Sequence, residues 1–317
     1  MTIDTAEVAG GPDALRLEAP GPWVESPFFA GALASRQLGE AERELAIRYH
    51  QDGCVMLPGL VDAETCDAIR EEIASLFLPP FQMGRSERRV PDAWRYSPAA
   101  QALATHPRIM SLLRLLYGRS PLPFQTLHFS VGSQQRAHSD SIHFSSLPAR
   151  YMCGVWVALE DVDLASGPLF YYPGSHRLPE LDYQDLGLKL DGLYGSSYEA
   201  YEDLMERLMV NVGLEQHKLV VSRGDALVWS SNLIHGGSPI LRGGASRWSQ
   251  VTHYLFEDCI YYTPMLSNRV TGELALRNTM VDIASGQLMV HSYNGAKIIG
   301  AETSGGRYRI AIVEEEE

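Results

Sequence analysis

From Leu122 onward the chain is written in short runs of β-branched and aromatic residues: "FQTLHFSVG", "YMCGVWVALEDV", "PLFYY", "HKLVVS", "DALVWSS" and "RWSQVTHYLFE". Gly, Pro, Ser or Asn punctuate most of them, the pattern of strands joined by turns. Helical patterns precede this block instead of alternating with its strands, so the chain is not an alternating βαβ sequence. The expected fold is mainly β with flanking helices, an antiparallel sandwich or jelly roll wrapped by the early helices.

Those helices have readable ends. Ala41, Leu45, Ala46 and Tyr49 recur at helical spacing and Gly53 stops the run. "CVMLPGL" reads as a short strand. "DAETCDAIREEIASLF" reads as a second helix capped by Asp62 or Thr65, and "SPAAQALATHPRIMSLLRLLYG" as more helix broken at Pro107. Residues 1–39 are rich in Gly, Pro and Ala and form an N-terminal arm. Trp23, Phe28 and Phe29 leave it open whether that arm is flexible or an ordered strap. Residues 40–317 form a single domain with an insertion at about 177–216, which carries a helix around Ser197 to Met209. The acidic "EEEE" end reads as a frayed tail.

Composition narrows the partners. A net charge of −13 argues against a nucleic-acid backbone as partner. The N-terminus has no basic region followed by an apolar run, and no segment has the ~18 apolar residues of a membrane span. Cys54, Cys66, Cys153 and Cys259 contain no CxxC pair and read as buried small side chains without disulfides. The expectation is a cytoplasmic enzyme acting on a small molecule, in contact with neither nucleic acid nor membrane.

Chemistry concentrates in "QRAHSDSIHF", Gln135 to Phe144. If the segment is a strand, His138 and Asp140 share a face and His143 points away. A His-x-Asp pair is weak alone and gains weight only with a third ligand. "GDALVWSSNLIHGGSP" supplies His235 at the far end of another strand. Two imidazoles and one carboxylate leave coordination positions open, which suits non-haem Fe(II) with a cosubstrate and O2, although zinc accepts the same three residues. Arg247 favours iron: opening the strand "RWSQVTHYLF" on one face with Ser249, Val251 and His253, its guanidinium suits the far carboxylate of a dicarboxylate. The alternative for Arg247 is a surface ion pair.

"YHQDGCVMLPGLVDAETCDAIREEI", "HSD", "VWVALEDVDLASGPLFYYPGSH", "GDALVWSSNLIHGGS" and the late Arg247, in that order over roughly residues 40–260, resemble the phytanoyl-CoA hydroxylase-like branch of the Fe(II)/2-oxoglutarate dioxygenases, which includes ectoine hydroxylase. The resemblance implies a double-stranded β-helix (a cupin-like jelly roll) and hydroxylation of an unactivated C–H with decarboxylation of 2-oxoglutarate to succinate. It implies His138, Asp140 and His235 as ligands of Fe(II), and Arg247 as partner of the 2-oxoglutarate C5 carboxylate. Trp156 would line the cosubstrate pocket, with Gln125 a further candidate on the preceding strand. O2 is the co-reactant. Asp140, where a halogenase has Ala or Gly, argues against halogenation.

Ser238 sits one place later than the serine some relatives use on 2-oxoglutarate, and Ala137 replaces a commonly bulky residue. "PGSH", with Ser175 and His176, reads as a structural turn, and "GRSERR", Gly84 to Arg89, as a solvated basic loop. His143 and His253 are neighbours of the ligands. His128, His217 and His291 carry no separate signal. A cupin-like metal-binding module without turnover, and the same chemistry on an acyl-CoA thioester, are the competing readings.

Overall fold

The helices form where the capping chemistry starts and stops them. After α1 (Phe29–Ser35) comes α2 (Glu40–Asp52), where Glu42 reaches back to the Gly39 N–H at 2.9 Å. Gly53 ends α2 at φ +72°, and a Cβ there would lie 2.4 Å from the His176 ring, so the position requires glycine twice over. β1 is Cys54–Leu57. Asp62 caps α3 (Ala63–Ile73) by accepting from the Thr65 N–H at 2.8 Å. β2 (Arg89–Pro91) precedes α4 (Pro98–Ala104) and α5 (Pro107–Tyr117), and Pro107 opens α5 where its missing N–H costs nothing. The structure is a computed structural model that describes residues 21–78, 89–187, 196–303 and 306–312.

The strand block then runs β3 (Pro121–Phe129), β4 (Ser145–Leu147), β5 (Met152–Ala158) and β6 (Leu169–Tyr171). After α6 (Ser196–Val212) come β7 (His217–Lys218), β8 (Ala226–Ser230), β9 (His235–Gly237), β10 (Ser249–Phe256) and β11 (Ile260–Tyr262). A C-terminal three-stranded sheet joins β12 (Ser292–Tyr293), β13 (Ala296–Glu302) and β14 (Tyr308–Ile312).

Six strands make one antiparallel sheet in the order β1-β8-β5-β10-β3-β2, opposed by the smaller sheets β7-β6-β9 and β11-β4. This is the double-stranded β-helix. Its two faces follow the period of two along β5. Val155 and Val157 pack with Ile69, Leu113 and Leu116 of the helices, whereas Trp156 and Ala158 turn inward against Leu169 and Leu219 of the small sheet. The inward face carries the site.

The arm's described part is packed down. Trp23 and Phe29 are buried, Phe28 stays exposed, and the Trp23 indole N–H donates to the Leu115 carbonyl at 2.9 Å. Residues 1–20, "GRSER" at 84–88, residues 188–195 within the expected insertion and the acidic end lie outside the described residues. No described helix is long and apolar enough to cross a membrane. All four cysteines are buried as free thiols.

Candidate metal and cosubstrate site

His138 and Asp140 do not lie on a strand. His138 makes an isolated bridge with His235, each backbone N–H donating to the other's carbonyl at 3.0 and 2.9 Å, and Asp140–Ile142 is a 3-10 turn. The bridge brings two residues far apart in sequence side by side, and the turn swings Asp140 onto them. The expected strand geometry is therefore replaced by a bridge followed by a tight turn. His143, expected on the far face, ends that turn and lines the same cavity.

Each imidazole is aimed by its own backbone. The Nδ1 atoms of His138 and His235 lie 2.9 Å from the carbonyls of Arg136 and Leu233, acceptors that place the proton on Nδ1 and leave Nε2 a free lone pair. Those Nε2 atoms sit 4.0 and 3.8 Å from Asp140 Oδ1, and one donor atom from each of the three residues falls within 4.8 Å of the others. Burial, and then the neighbouring His235, push His138 down to about 3, so its ring is neutral near pH 7. Burial alone would raise Asp140. The imidazoles of His235, His253 and His138 and the Trp229 N–H outweigh it and hold the carboxyl down at about 2. A neutral His138 and an ionised Asp140 are in the protonation states that a divalent metal requires.

Asp140 Oδ2 accepts from the Trp229 indole N–H at 2.8 Å, and His253 Nε2 lies 3.6 Å from the same oxygen. His253 Nδ1 in turn faces Gln125 Oε1 at 3.1 Å. Gln125 lines the cavity, but its amide oxygen is engaged in orienting His253. Trp229 was not marked out by the sequence, where it reads only as an apolar strand residue.

The cavity occupies about 340 Å3 between the sheets. Arg247, two residues ahead of β10, reaches it with Val251 and His253. Its guanidinium is 2% exposed and has no ion-pair partner among the described residues, and its Nε has no hydrogen-bond partner there. Burial pushes its pKa down to about 10, with Glu160 opposing at longer range. The rings of Phe129 and Trp156 lie under it, at 5.6 and 5.7 Å, and the Trp156 indole N–H also lacks a partner among the described residues. A buried cation without an anion is costly, and an anion placed in this cavity would offset that cost. This is not a surface ion pair.

The α6 helix closes the other wall. Arg136 bridges to Asp203 and Glu206 of α6, both at 2.6 Å. The Tyr201 hydroxyl meets the Ser139 N–H at 3.3 Å, and Tyr198 meets His143 Nε2 at 2.9 Å. Burial pushes His143 down to about 4, so it too is neutral near pH 7. Ser238 is buried but does not line the cavity, and its hydroxyl has no partner among the described residues. Ser175 and His176 serve structure: Ser175 Oγ accepts from the Ile234 N–H at 2.8 Å and His176 Nε2 faces the His50 carbonyl at 3.2 Å. His128 is bonded to Gln250, and His291 accepts from the Tyr261 N–H.

A family model described as phytanoyl-CoA dioxygenase (PhyH) matches residues 49–247, a span that includes the triad and Arg247. Ectoine dioxygenase of Halomonas elongata is 25% identical over 244 residues, 68% of this chain and 70% of that protein. Phytanoyl-CoA dioxygenase domain-containing protein 1 of Danio rerio is 28% identical over 86 residues, 26% of this chain, and the match spans only 30% of that protein's length. Among solved structures, the epimerase SnoN in complex with Fe3+, alpha ketoglutarate and nogalamycin RO is 26% identical at a TM-score of 0.53, over 70% of this chain and 86% of that one. EctD from S. alaskensis with 2-oxoglutarate and 5-hydroxyectoine matches in fold, with a TM-score of 0.53 and 18% identity over 71% of this chain and 80% of that one.

Proposed function

We infer that this chain, which belongs to the phytanoyl-CoA dioxygenase (PhyH) family, is a non-haem Fe(II)- and 2-oxoglutarate-dependent oxygenase hydroxylating a C–H of a small metabolite or natural-product intermediate. The donor set fits the metal: His138 and His235 turn their Nε2 atoms, and Asp140 its Oδ1, toward one another, all buried and converging. These three residues would hold Fe(II). The observation that carries the reading is Arg247, a buried guanidinium without a counter-ion among the described residues, opening onto the triad's own cavity.

Iron bound there would supply the activation of O2 that couples decarboxylation of 2-oxoglutarate to oxidation of the substrate. The chain's own part is placement. Arg247 grips the far carboxylate of 2-oxoglutarate by paired charge-assisted hydrogen bonds, and the Trp156 N–H offers a further donor beside it. Phe129 and Trp156 keep water from the guanidinium and strengthen that contact. His143, Phe144 and Tyr198 form the wall left for the substrate.

The test is anaerobic loading with Fe(II) and 2-oxoglutarate, followed by O2 and measurement of succinate. Succinate is expected from the parent and not from Asp140→Ala. A zinc hydrolase or a silent binding module on the same triad would make no succinate, and 2-oxoglutarate binding unchanged by Arg247→Ala would sink the reading.

A further inference from the structure

We propose that Trp229 is a positioning residue for the metal site: its indole N–H holds one oxygen of Asp140, so that this carboxylate turns a single oxygen toward the metal. The inference rests on the iron site proposed above and concerns how that site keeps its coordination positions open.

The two oxygens of Asp140 have different surroundings. Oδ1 is the one near both imidazoles, 4.0 Å from His138 Nε2 and 3.8 Å from His235 Nε2. Oδ2 accepts the Trp229 N–H at 2.8 Å. An indole N–H can donate but cannot ligate a metal or take a proton, so Trp229 pins Oδ2 without competing for the ion. His253 is a poor substitute. The Gln125 amide oxygen facing its Nδ1 places the ring proton there, and its Nε2 stands 3.6 Å from Oδ2, beyond a good hydrogen bond.

The indole is itself built into place. Gly154 on β5 lies directly opposite Trp229 on β8, and a Cβ at Gly154 would meet the indole Cε2 at 2.4 Å. The ring therefore lies against bare backbone, 1% exposed, and its other edge packs on His235 with ring centroids 4.9 Å apart. One side chain thus braces two of the three ligands. A carboxylate free to rotate can offer both oxygens to one cation, which would consume a position that the cosubstrate needs.

The decisive variant replaces Trp229 with β-(3-benzothienyl)alanine by codon suppression, which nearly keeps the ring shape and exchanges the N–H donor for a sulfur that cannot donate. Trp229→Phe serves as the ordinary companion. Co(II) is the probe, read by chelator competition, by its visible absorption (sensitive to coordination number) and by 2-oxoglutarate affinity of the cobalt-loaded protein. The isostere is expected to bind Co(II) about 10- to 100-fold more weakly, with an altered cobalt spectrum and the parent's melting temperature when metal-free. Parent-like cobalt affinity and spectrum in the isostere overturn the role of Trp229 and leave the proposed function standing. A parent protein that takes up no Co(II) overturns both.

Discussion

Arg247→Met should stabilise the protein without 2-oxoglutarate and destabilise it, relative to the parent, once 2-oxoglutarate is bound. The guanidinium is 2% exposed and its pKa is pushed from 12.5 down to about 10 by burial. At roughly 1.4 kcal/mol per pH unit, holding that charge in the fold costs on the order of 3 kcal/mol. The cost is present at every pH below about 10, because the group is charged in the folded and unfolded chain alike. Contacts with the Phe129 and Trp156 faces at 5.6 and 5.7 Å return part of it, roughly 0.5–1 kcal/mol each. Methionine fills the stem's space without the charge, so the net gain is about 1–2 kcal/mol. With an unfolding entropy of about 2.1 cal/mol/K per residue, that raises the melting temperature by roughly 2–3 °C. The ligand reverses the order. Losing two charge-assisted hydrogen bonds weakens 2-oxoglutarate by about 100-fold. At a concentration 100 times the parent's Kd, 2-oxoglutarate stabilises the parent by about 2.7 kcal/mol and the variant by only about 0.4. Thermal melts of Co(II)-loaded protein with and without 2-oxoglutarate read both effects. A variant less stable in both conditions, with an undiminished 2-oxoglutarate shift, would show that Arg247 is a structural cation and refute the reasoning.

Three further outcomes follow from the same geometry. Asp140→Ala should abolish Co(II) uptake in equilibrium dialysis; parent-like uptake would mean that the metal sits elsewhere. Gly154→Ala should destabilise the protein by on the order of 1–3 kcal/mol in denaturant titration, because the new Cβ would lie 2.4 Å from the Trp229 ring, and it should also weaken Co(II) binding; an unchanged midpoint contradicts the packing. Glu25, whose side chain is buried beside Arg150 at 3.2 Å and Ser230 at 2.8 Å, is raised by that burial to about 7. Its favourable contribution is therefore full below pH 4.5 and lost as pH rises through about 7. The parent should lose on the order of 3 kcal/mol relative to Glu25→Gln across that window, and a pH-independent difference in melting temperature would contradict it.

What the sequence made legible divides along the range of the interactions involved. "YMCGVWVALEDV" announced β5 because a strand buried on both faces needs a nearly unbroken apolar or β-branched run. "RWSQVTHYLFE" announced β10 by its β-branched and aromatic residues even though it also buries Ser249, Gln250 and His253. The ends of α2, α3 and α5 were readable for the same local reason: Gly53, Asp62 and Pro107 each act within one turn. His138, Asp140 and His235 were legible as residue types in an order, and they do converge, but not through the strand expected for His138 and Asp140. Their convergence comes from a two-residue bridge across almost a hundred positions and a 3-10 turn, and neither leaves a periodic signature. The same limit hid Trp229. An apolar strand residue and a hydrogen-bond donor to the Asp140 carboxylate are the same letter in the sequence, and only the pairing of β8 against Gly154 on β5 separates them. His143 shows the converse case. Its spacing from Asp140 would place it on the opposite face of a strand, yet one tight turn puts it in the cavity against Tyr198. Tyr198 belongs to α6, in the segment on which the sequence was least informative. The cavity wall that α6 supplies comes from side-chain contacts such as Tyr198 to His143, 55 positions apart, which no local motif announces. The His-x-Asp and the later His235, by contrast, could be read as residue types in an order.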